Sequence, residues 1–224
     1  MCGRFTLRAK LNLLLQQFAV ETSEIDDWPP RYNIAPTQDV LAVRSAENGK
    51  RELIPLRWGL IPPWSKEIKI GSRMINARAE TIAEKPSFRS PFKRRRCLII
   101  ADGFYEWKKT AKAKQPYHIS LTGGKPFALA GLWETWKAEG QPTIESCTII
   151  TTEPNELMAD LHNRMPVILS CNDYEPWLNT PSDDAQQLLP LLDAYPSSEM
   201  TCVAVDNRVN NPTRDDEQCL TPLD

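Results

Sequence analysis

The sequence predicts an α+β fold. It should form a single domain, residues 1–224, whose mainly antiparallel β-sheets curl into a barrel-like core with a few short peripheral helices. Short segments with alternating apolar side chains recur along the chain, and only a few short stretches have helical spacing. The length of 224 residues suits one large domain or two small ones, and neither a repeat nor a linker divides the chain.

The first 36 residues combine a helical stripe with a constrained loop. Residues 7–19 place apolar side chains at helical spacing, which predicts a docking helix with these residues in the core: Leu7, Leu11, Leu14, Leu15 and Phe18. Residues 31–36 read RYNIAP, and Pro36 restricts the preceding residue to extended conformations. We therefore expect a rigid loop there.

A hairpin and further short elements follow. Residues 39–45 and 51–61 alternate around Asn48-Gly49, a dipeptide that favours a tight β-turn. Further strands are predicted over 97–101, 116–121, 127–135, 144–151, 166–169 and 200–205, and helical segments over 81–93, 155–161, 172–179 and 184–192. The acidic tail, about 213–224, is expected to fray.

Composition indicates a soluble globular protein. Hydrophobic residues make up 41% and charged residues 25% of the chain, and no apolar run is long enough to span a membrane. The six cysteines are far apart and contain no C-x-x-C pair, so we expect reduced thiols and no zinc site. With no signal peptide recognised, the expected location is the cytoplasm.

Charge is distributed unevenly along the chain. Residues 1–118 hold 22 Lys and Arg against 12 Asp and Glu, a net +10, whereas residues 119–224 hold 5 against 17, a net −12. This asymmetry indicates a basic face for a polyanion. The alternative is that folding interleaves the two halves and cancels the field.

Cys2 directly follows the initiator Met1. Removal of Met1 would place a free α-amine and a thiol on adjacent carbons. Their reference pKa values are roughly 7.7–8.0 and roughly 8.5, so neutral amine is present and the thiolate is within reach near pH 7. Such a 1,2-aminothiol closes a thiazolidine ring with an aldehyde, and with an acyl group it can act as nucleophile and base.

Two other residues are candidates for proton transfer. Glu106 lies between Tyr105 and Trp107, a setting that raises a carboxyl pKa, although a strand glutamate can also simply face solvent. His162 follows a predicted helix and suits proton transfer near pH 7, whereas His118 alternates within a strand and is expected to be structural.

Aromatic and basic residues suggest nucleic-acid contacts. Trp58 and Trp64 lie in Pro- and Gly-containing segments, where exposed tryptophans can stack on or wedge between bases, although most tryptophans are core residues. The run of four basic residues at 93–96 can hold phosphates or form a helix end.

Six motifs occur in an order and spacing that resemble one family: MCGRF, RYNIAP, RWGLIPPW, INARAET, RCLIIADGFYEWK and LHNRMPVIL. Together they resemble the SRAP family, the SOS-response-associated peptidase-like proteins, over about residues 2–206. The resemblance implies a protein that loses Met1 and reacts with abasic sites in single-stranded DNA. The implied product is a covalent thiazolidine cross-link that shields the lesion.

The resemblance also implies roles for individual residues. Cys2 would be the nucleophile, Asn76 would hold the α-amine or the sugar, Glu106 would move protons, and His162 would assist ring opening and reversal. The positions implied to line the DNA groove are Arg4, Asn33, Pro36, Trp58, Arg78 and Arg164. Family members often have Asp after the histidine, and Asn163 departs from that pattern.

The resemblance implies no cofactor and no metal. The expected partner is single-stranded DNA with abasic sites, bound by a monomer that does not contact membranes. The protein would be cytoplasmic and would associate with the nucleoid when bound to DNA. Two alternatives remain: a cysteine peptidase with an N-terminal nucleophile that processes its own Met1, and a non-catalytic single-strand binding module.

Overall fold

The computed structural model describes residues 2–109 and 114–223. The strands are β1 Phe5–Leu7, β2 Thr22–Ser23, β3 Arg31–Ile34, β4 Asp39–Ser45, β5 Arg51–Trp58, β6 Asn76–Arg78, β7 Arg96–Ala101, β8 Gly103–Lys109, β9 Lys114–Leu121, β10 Phe127–Trp136, β11 Ile144–Thr152, β12 Met165–Pro166, β13 Ile168–Leu169 and β14 Met200–Ala204. The α-helices are α1 Leu11–Gln17, α2 Arg89–Arg94, α3 Glu156–Ala159 and α4 Tyr174–Asn179. Short 3-10 helices lie at Ile68–Arg73, Ala79–Thr81, Cys171–Asp173, Ser182–Leu192, Ser197–Glu199, Asn207–Asn210 and Glu217–Leu220.

Five strands form a closed barrel. Antiparallel pairing runs from β5 through β4, β7 and β10 to β11, and β11 then pairs in parallel with β5, with Cys147 opposite Trp58. Closing a sheet on itself removes its exposed edges and encloses a core. Strand residues such as Val43, Leu98 and Ile149 are fully buried, so the predicted barrel-like core is confirmed.

A second sheet carries the amino terminus. Its strand order is β14-β9-β8-β1-β3, so β1 lies between β8 and β3. Phe5 pairs with Phe104 on one side and with Ile34 on the other. Cys2 is therefore held beside β8, the strand that contains Glu106.

Two local predictions near the amino terminus are wrong. Leu7 belongs to β1, and helix α1 begins only at Leu11, because antiparallel pairing with β8 and β3 outweighs the helical periodicity of the segment. The segment predicted as a rigid loop begins instead with strand β3, Arg31–Ile34, which pairs with β1. The hairpin prediction is confirmed, since β4 and β5 pair across a turn containing Gly49.

The carboxyl-terminal tail packs against the protein, which corrects the prediction that it frays. Asp215 accepts hydrogen bonds from the backbone N–H groups of Tyr32 and Asn33, at 2.5 and 2.8 Å, and pairs with the Arg31 guanidinium. Cys219 is fully buried. The tail stays in place because the Asp215 side-chain carboxylate accepts hydrogen bonds from backbone N–H groups of β3. Asp224 lies outside the described residues.

The basic run at 93–96 is divided, since Lys93 and Arg94 are exposed whereas Arg96 is buried and structural. Arg96 is only 6% exposed and donates to four backbone carbonyls, those of Phe92, Lys93, Trp177 and Thr180. These carbonyls belong to the carboxyl-terminal ends of α2 and α4, where a cation is favoured. Arg96 therefore joins two helix ends and presents almost no surface to a polyanion.

Folding interleaves the basic and acidic halves of the sequence. Five ion pairs join them: Arg31–Asp215, Arg44–Glu145, Arg51–Glu175, Arg95–Glu134 and Arg164–Glu80. In all of them except Arg164–Glu80 a cation of the first half meets a carboxylate of the second, so part of the charge asymmetry is neutralised locally. No helix among the described residues is long and apolar enough to cross a membrane.

Candidate active site

A cavity of about 800 Å³ lies between the β8–β9 hairpin and the Asn207–Asn210 3-10 helix. Its lining residues are Arg4, Ile75, Glu106, Trp107, Lys109, Lys114, His162, Asn207 and Asn210. The fold thus brings three predicted site residues together from distant parts of the sequence: Arg4, Glu106 and His162. Asn76 follows the lining residue Ile75.

Cys2 is fully buried. Burial and, to a smaller extent, the nearby Glu106 carboxylate together raise the pKa of its thiol to about 12. Both effects favour the protonated thiol over the thiolate in this environment.

Asn76 is tied to the start of the chain. Its side-chain Nδ2 donates to the Cys2 carbonyl oxygen at 2.8 Å. Strand β6 holds it, because Asn76 pairs with Ile149 of the barrel strand β11. The Asn76 Oδ1 atom is buried and accepts no hydrogen bond within the described part of the chain, so it can accept one from a reactant.

Glu106 lies on β8 and is only 5% exposed. Its Oε1 accepts a hydrogen bond from the Trp107 backbone N–H at 3.2 Å. The carboxylate acts electrostatically on both Cys2 and His162, raising the pKa of each. Glu106 is therefore close enough to influence the two other titratable residues of the site.

His162 follows α3 at the opposite side of the cavity. Its Nδ1 accepts the backbone N–H of Arg164 at 3.0 Å, so the neutral ring carries its hydrogen on Nε2. Burial lowers the pKa of His162, while Glu106 acts in the opposite direction. The ring is thus held mainly neutral at pH 7, with Nε2–H as a donor.

Two of the residues predicted to line a DNA groove are fully buried, Trp58 and Asn33. The Trp58 ring packs 5.1 Å from the Phe5 ring, and its Nε1 donates to the Ile75 carbonyl at 2.9 Å. Neither side chain is exposed at the protein surface, so any part that it plays in DNA binding is proposed to be indirect. Trp64, in contrast, is 59% exposed.

Asn33 organises the residues around the cavity. Its Oδ1 accepts from the Arg4 guanidinium at 2.7 Å, and its Nδ2 donates to the carbonyls of Asn211 and Arg214, at 3.0 and 2.6 Å. Arg4 also donates to the Val209 carbonyl at 2.9 Å. Asn33 thus fixes Arg4 and the 3-10 helix that forms one cavity wall.

The other predicted groove residues differ in accessibility. Arg78 is exposed at the end of β6, and Pro36 is half-buried. Arg164 forms a two-point ion pair with Glu80, at 2.5 and 3.0 Å, and also donates to the Thr151 carbonyl at 2.5 Å. Its guanidinium is therefore already occupied by protein groups.

Several lining residues were missed by the sequence reasoning, among them Trp107, Lys109, Lys114 and Asn210. The Trp107 indole N–H donates to the Asn210 side-chain oxygen at 2.7 Å, which joins β8 to the 3-10 helix. Strand alternation could have placed Trp107 and Lys109 on one face. The contact with Asn210 depends on packing over 103 residues of chain and leaves no local signal.

Metal binding has no obvious place in this arrangement. Within residues 2–109 and 114–223, no three His, Cys, Asp or Glu side chains are grouped so that they could hold a metal ion.

The family model of SOS response associated peptidase (SRAP) matches residues 1–212. The chain belongs to the SRAP family. The resemblance drawn from the six motifs is thereby confirmed.

SRAP relatives cover the whole chain. The abasic site processing protein YoqW of Bacillus subtilis (strain 168) is 46% identical over 223 residues, covering 98% of this chain and 99% of YoqW. The abasic site processing protein HMCES of Pongo abelii is 32% identical, covering all of this chain and 77% of HMCES. A crystal structure of a Bacteroides thetaiotaomicron protein superposes with a TM-score of 0.89 at 27% identity, over 99% of this chain and 100% of that one.

Proposed function

We propose that this SRAP protein senses abasic sites in single-stranded DNA and bonds to them covalently through Cys2 after Met1 is removed. The product would be a thiazolidine DNA–protein cross-link that shields the lesion. The observation that carries the proposal is that four residues from distant segments lie close together: Glu106 and His162 line one cavity, Glu106 acts electrostatically on Cys2, and Asn76 donates to the Cys2 carbonyl. The names of the relatives YoqW and HMCES agree with abasic-site processing.

The proposed chemistry has two bond-forming steps. The α-amine of Cys2 attacks the aldehyde carbon of the ring-opened sugar, and loss of water gives an imine. The Cys2 sulfur then adds to the imine carbon, and the thiol proton ends on the nitrogen. The five-membered ring therefore forms with water as the only by-product, and neither an oxidant nor a cofactor is consumed.

Glu106 is proposed as the general base for ring closure. The Cys2 thiol is protonated at neutral pH because its pKa is raised to about 12 by burial and by Glu106. A carboxylate that disfavours the thiolate electrostatically is also a nearby acceptor for the departing proton. Earlier, during imine formation, the same carboxyl group can relay a proton from the attacking amine to the departing hydroxyl.

Asn76 and His162 are proposed to position and activate the reactants. Asn76 holds the Cys2 carbonyl, and its unpaired Oδ1 can accept a hydrogen bond from the freed amine or from the sugar. His162, with its hydrogen on Nε2, can donate to the ring oxygen of the sugar as the aldehyde opens. By microscopic reversibility the same group would assist reversal of the cross-link.

The DNA contacts divide into direct and supporting ones. Arg78 is exposed and Arg4 lines the cavity, so both are proposed to contact the backbone of the single strand, with Pro36 at the surface. Asn33, Trp58 and Arg164 are proposed to act from inside the protein, by holding Arg4, Ile75 and Glu80. Phosphate contacts of this kind fix register and carry no sequence information.

A cysteine peptidase is less well supported by this geometry. Such an enzyme needs a thiolate of lowered pKa beside a cation or an imidazolium. Cys2 has the opposite environment, because burial and a carboxylate both raise the pKa of its thiol. A thiol that adds to an imine after the amine has reacted does not need to be ionised beforehand.

Incubation with an abasic single-stranded oligonucleotide, followed by a denaturing gel, tests the proposal. The wild-type protein should give a retarded band that survives denaturation, and Cys2→Ala should give none while retaining much of its non-covalent affinity. Peptide cleavage without such a band would support the peptidase instead. Binding lost on denaturation, and independent of Cys2, would indicate a non-catalytic binding module.

A further inference from the structure

Two lysines face each other at the mouth of the cavity. Lys109, the last residue of β8, is the direct cross-strand partner of Lys114, the first residue of β9. Both side chains are exposed and both line the cavity. Like charges placed directly opposite each other destabilise a pair of strands. Stability therefore does not account for this pairing.

The surroundings do not neutralise these charges. The cavity is lined by three permanent cations, Arg4, Lys109 and Lys114, but by a single carboxylate, that of Glu106. The described bonds of the Arg4 guanidinium go to uncharged oxygens, those of Asn33 and Val209. Residues 110–113, which separate the two lysines in the sequence, read TAKA and include no acidic residue.

An anionic ligand would complete this arrangement. The aldehyde that the site is proposed to take is uncharged, so the excess positive charge must address another part of the substrate. In DNA that part is the phosphodiester, which lies on either side of the abasic sugar. Side chains of directly opposed strand residues start about 4.5–5.5 Å apart, which allows two ammonium groups to reach the same phosphate.

Strand geometry relates the lysine pair to Trp107 and Arg4, two other residues that line the cavity. Lys109 is two residues after Trp107 and therefore lies on the same face of β8. The Arg4 guanidinium lies 5.9 Å from the centre of the Trp107 ring. The lysine pair and Arg4 therefore both belong to the lining around Trp107 and together make it cationic.

We propose that Lys109 and Lys114 form a phosphate clamp that holds one phosphodiester flanking the abasic nucleotide. This inference rests on the proposed function and adds a specificity element to it, because it sets where the strand enters the cavity. The clamp also accounts for the paired like charges. They cost the free protein some stability, and they raise its affinity for DNA when they hold a phosphate.

Charge-neutral substitutions separate binding from folding. Lys109→Gln and Lys114→Gln should each raise the half-saturating concentration of an abasic single strand roughly two- to fivefold. The double variant should reduce the salt dependence of non-covalent binding by about 0.7 in the log–log slope, the value for one phosphate of a single strand. The melting temperature should stay equal or rise, because the like-charge pair is removed.

Lys125→Gln is the matched control. Lys125 is exposed, lies beyond the far end of β9 and does not line the cavity, yet the substitution removes the same charge. The clamp is contradicted if the Lys109 and Lys114 variants bind like the control. It is also contradicted if their weaker binding is accompanied by a lowered melting temperature, which would indicate a structural role.

The substrate can be varied to identify the phosphate. An uncharged methylphosphonate is placed on one side of the abasic site and then on the other. A methylphosphonate at the clamped position should weaken DNA binding by the wild-type protein. It should cause no further loss of affinity in the variant that carries both Lys109→Gln and Lys114→Gln. Additive losses on both sides would overturn the proposal. Absence of any cross-link with wild-type protein would instead contradict the proposed function, and the binding measurements would still decide whether the clamp exists.

Discussion

The side-chain amide of Asn76 donates to the backbone carbonyl of Cys2 across a distance of 2.8 Å. This hydrogen bond ties the start of the chain to β6, which is itself paired with the barrel strand β11. The amino-terminal segment, which the proposed mechanism makes the reacting end, is thereby fixed to the barrel. Such positioning by a scaffold is what converts an encounter between amine and aldehyde into an oriented reaction.

Glu106→Gln should slow cross-linking by a factor on the order of 10²–10⁴, because Gln keeps the shape but cannot exchange a proton. The electrostatic effect of Glu106 on the Cys2 thiol, taken alone, predicts faster cross-linking in this variant. Glu106 raises the pKa of the Cys2 thiol, so removal of its charge should make the thiol more acidic. Single-turnover rates decide between the two, and an unchanged or faster rate would show that Glu106 is not the base.

Trp58→Phe should lower the free energy of unfolding by about 1–3 kcal/mol, because it removes the hydrogen bond to the Ile75 carbonyl and leaves a small void beside Phe5. Affinity for intact single-stranded DNA should fall only slightly, since Trp58 is fully buried and supports the cavity only through Ile75. Chemical denaturation and fluorescence anisotropy measure the two quantities. Weakened binding with unchanged stability would mean that Trp58 contacts DNA after all.

His118 should make the fold sensitive to acid. Burial lowers its pKa from 6.5 to about 4, and the ring packs 5.1 Å from that of Tyr105. Because the unfolded chain binds a proton at higher pH than the folded one, this contribution is present above about pH 6.5 and is lost as the pH falls towards 4.

Urea unfolding at pH 7 and pH 5 checks this dependence. The wild-type protein should lose roughly 2 kcal/mol of unfolding free energy between these values through His118 alone. His118→Gln should lose correspondingly less over the same interval. An identical loss in both proteins would assign the acid sensitivity to other groups.

The sequence predicted those parts of the fold that depend on local patterns. The β4–β5 hairpin follows from alternation and the Asn48-Gly49 turn. The closure of the barrel by β5 and β11 joins residues about 90 positions apart, and no local signal encodes such a pairing. The same holds for Leu7, whose helical spacing is outweighed by strand pairs formed with β3 and β8.

The candidate site could be predicted in its residue types but not in its environment. Cys2, Glu106 and His162 were recognised by their chemistry and by the motifs that contain them. The raised pKa of the Cys2 thiol depends on burial, which position in the sequence does not reveal. Asp215 looked like part of a solvated acidic tail, yet its carboxylate holds β3 in place.

The central claim is that the α-amine of Cys2 is a reactant, and a blocked amino terminus tests it most directly. Matched proteins are prepared with a free Cys2, with an amino-terminal tag or acetyl group, and with a carboxyl-terminal tag. Intact mass confirms which chains begin at Cys2. The carboxyl-terminal tag serves as the control, because residues 221–223 are exposed.

The measurement is the yield of denaturation-resistant product on an abasic oligonucleotide. The free and carboxyl-terminally tagged proteins should cross-link equally, and the blocked protein should form no product. An acylated nitrogen cannot form the imine, because its lone pair is delocalised into the carbonyl group. Equal cross-linking by a protein whose mass shows a blocked amino terminus would contradict the thiazolidine mechanism.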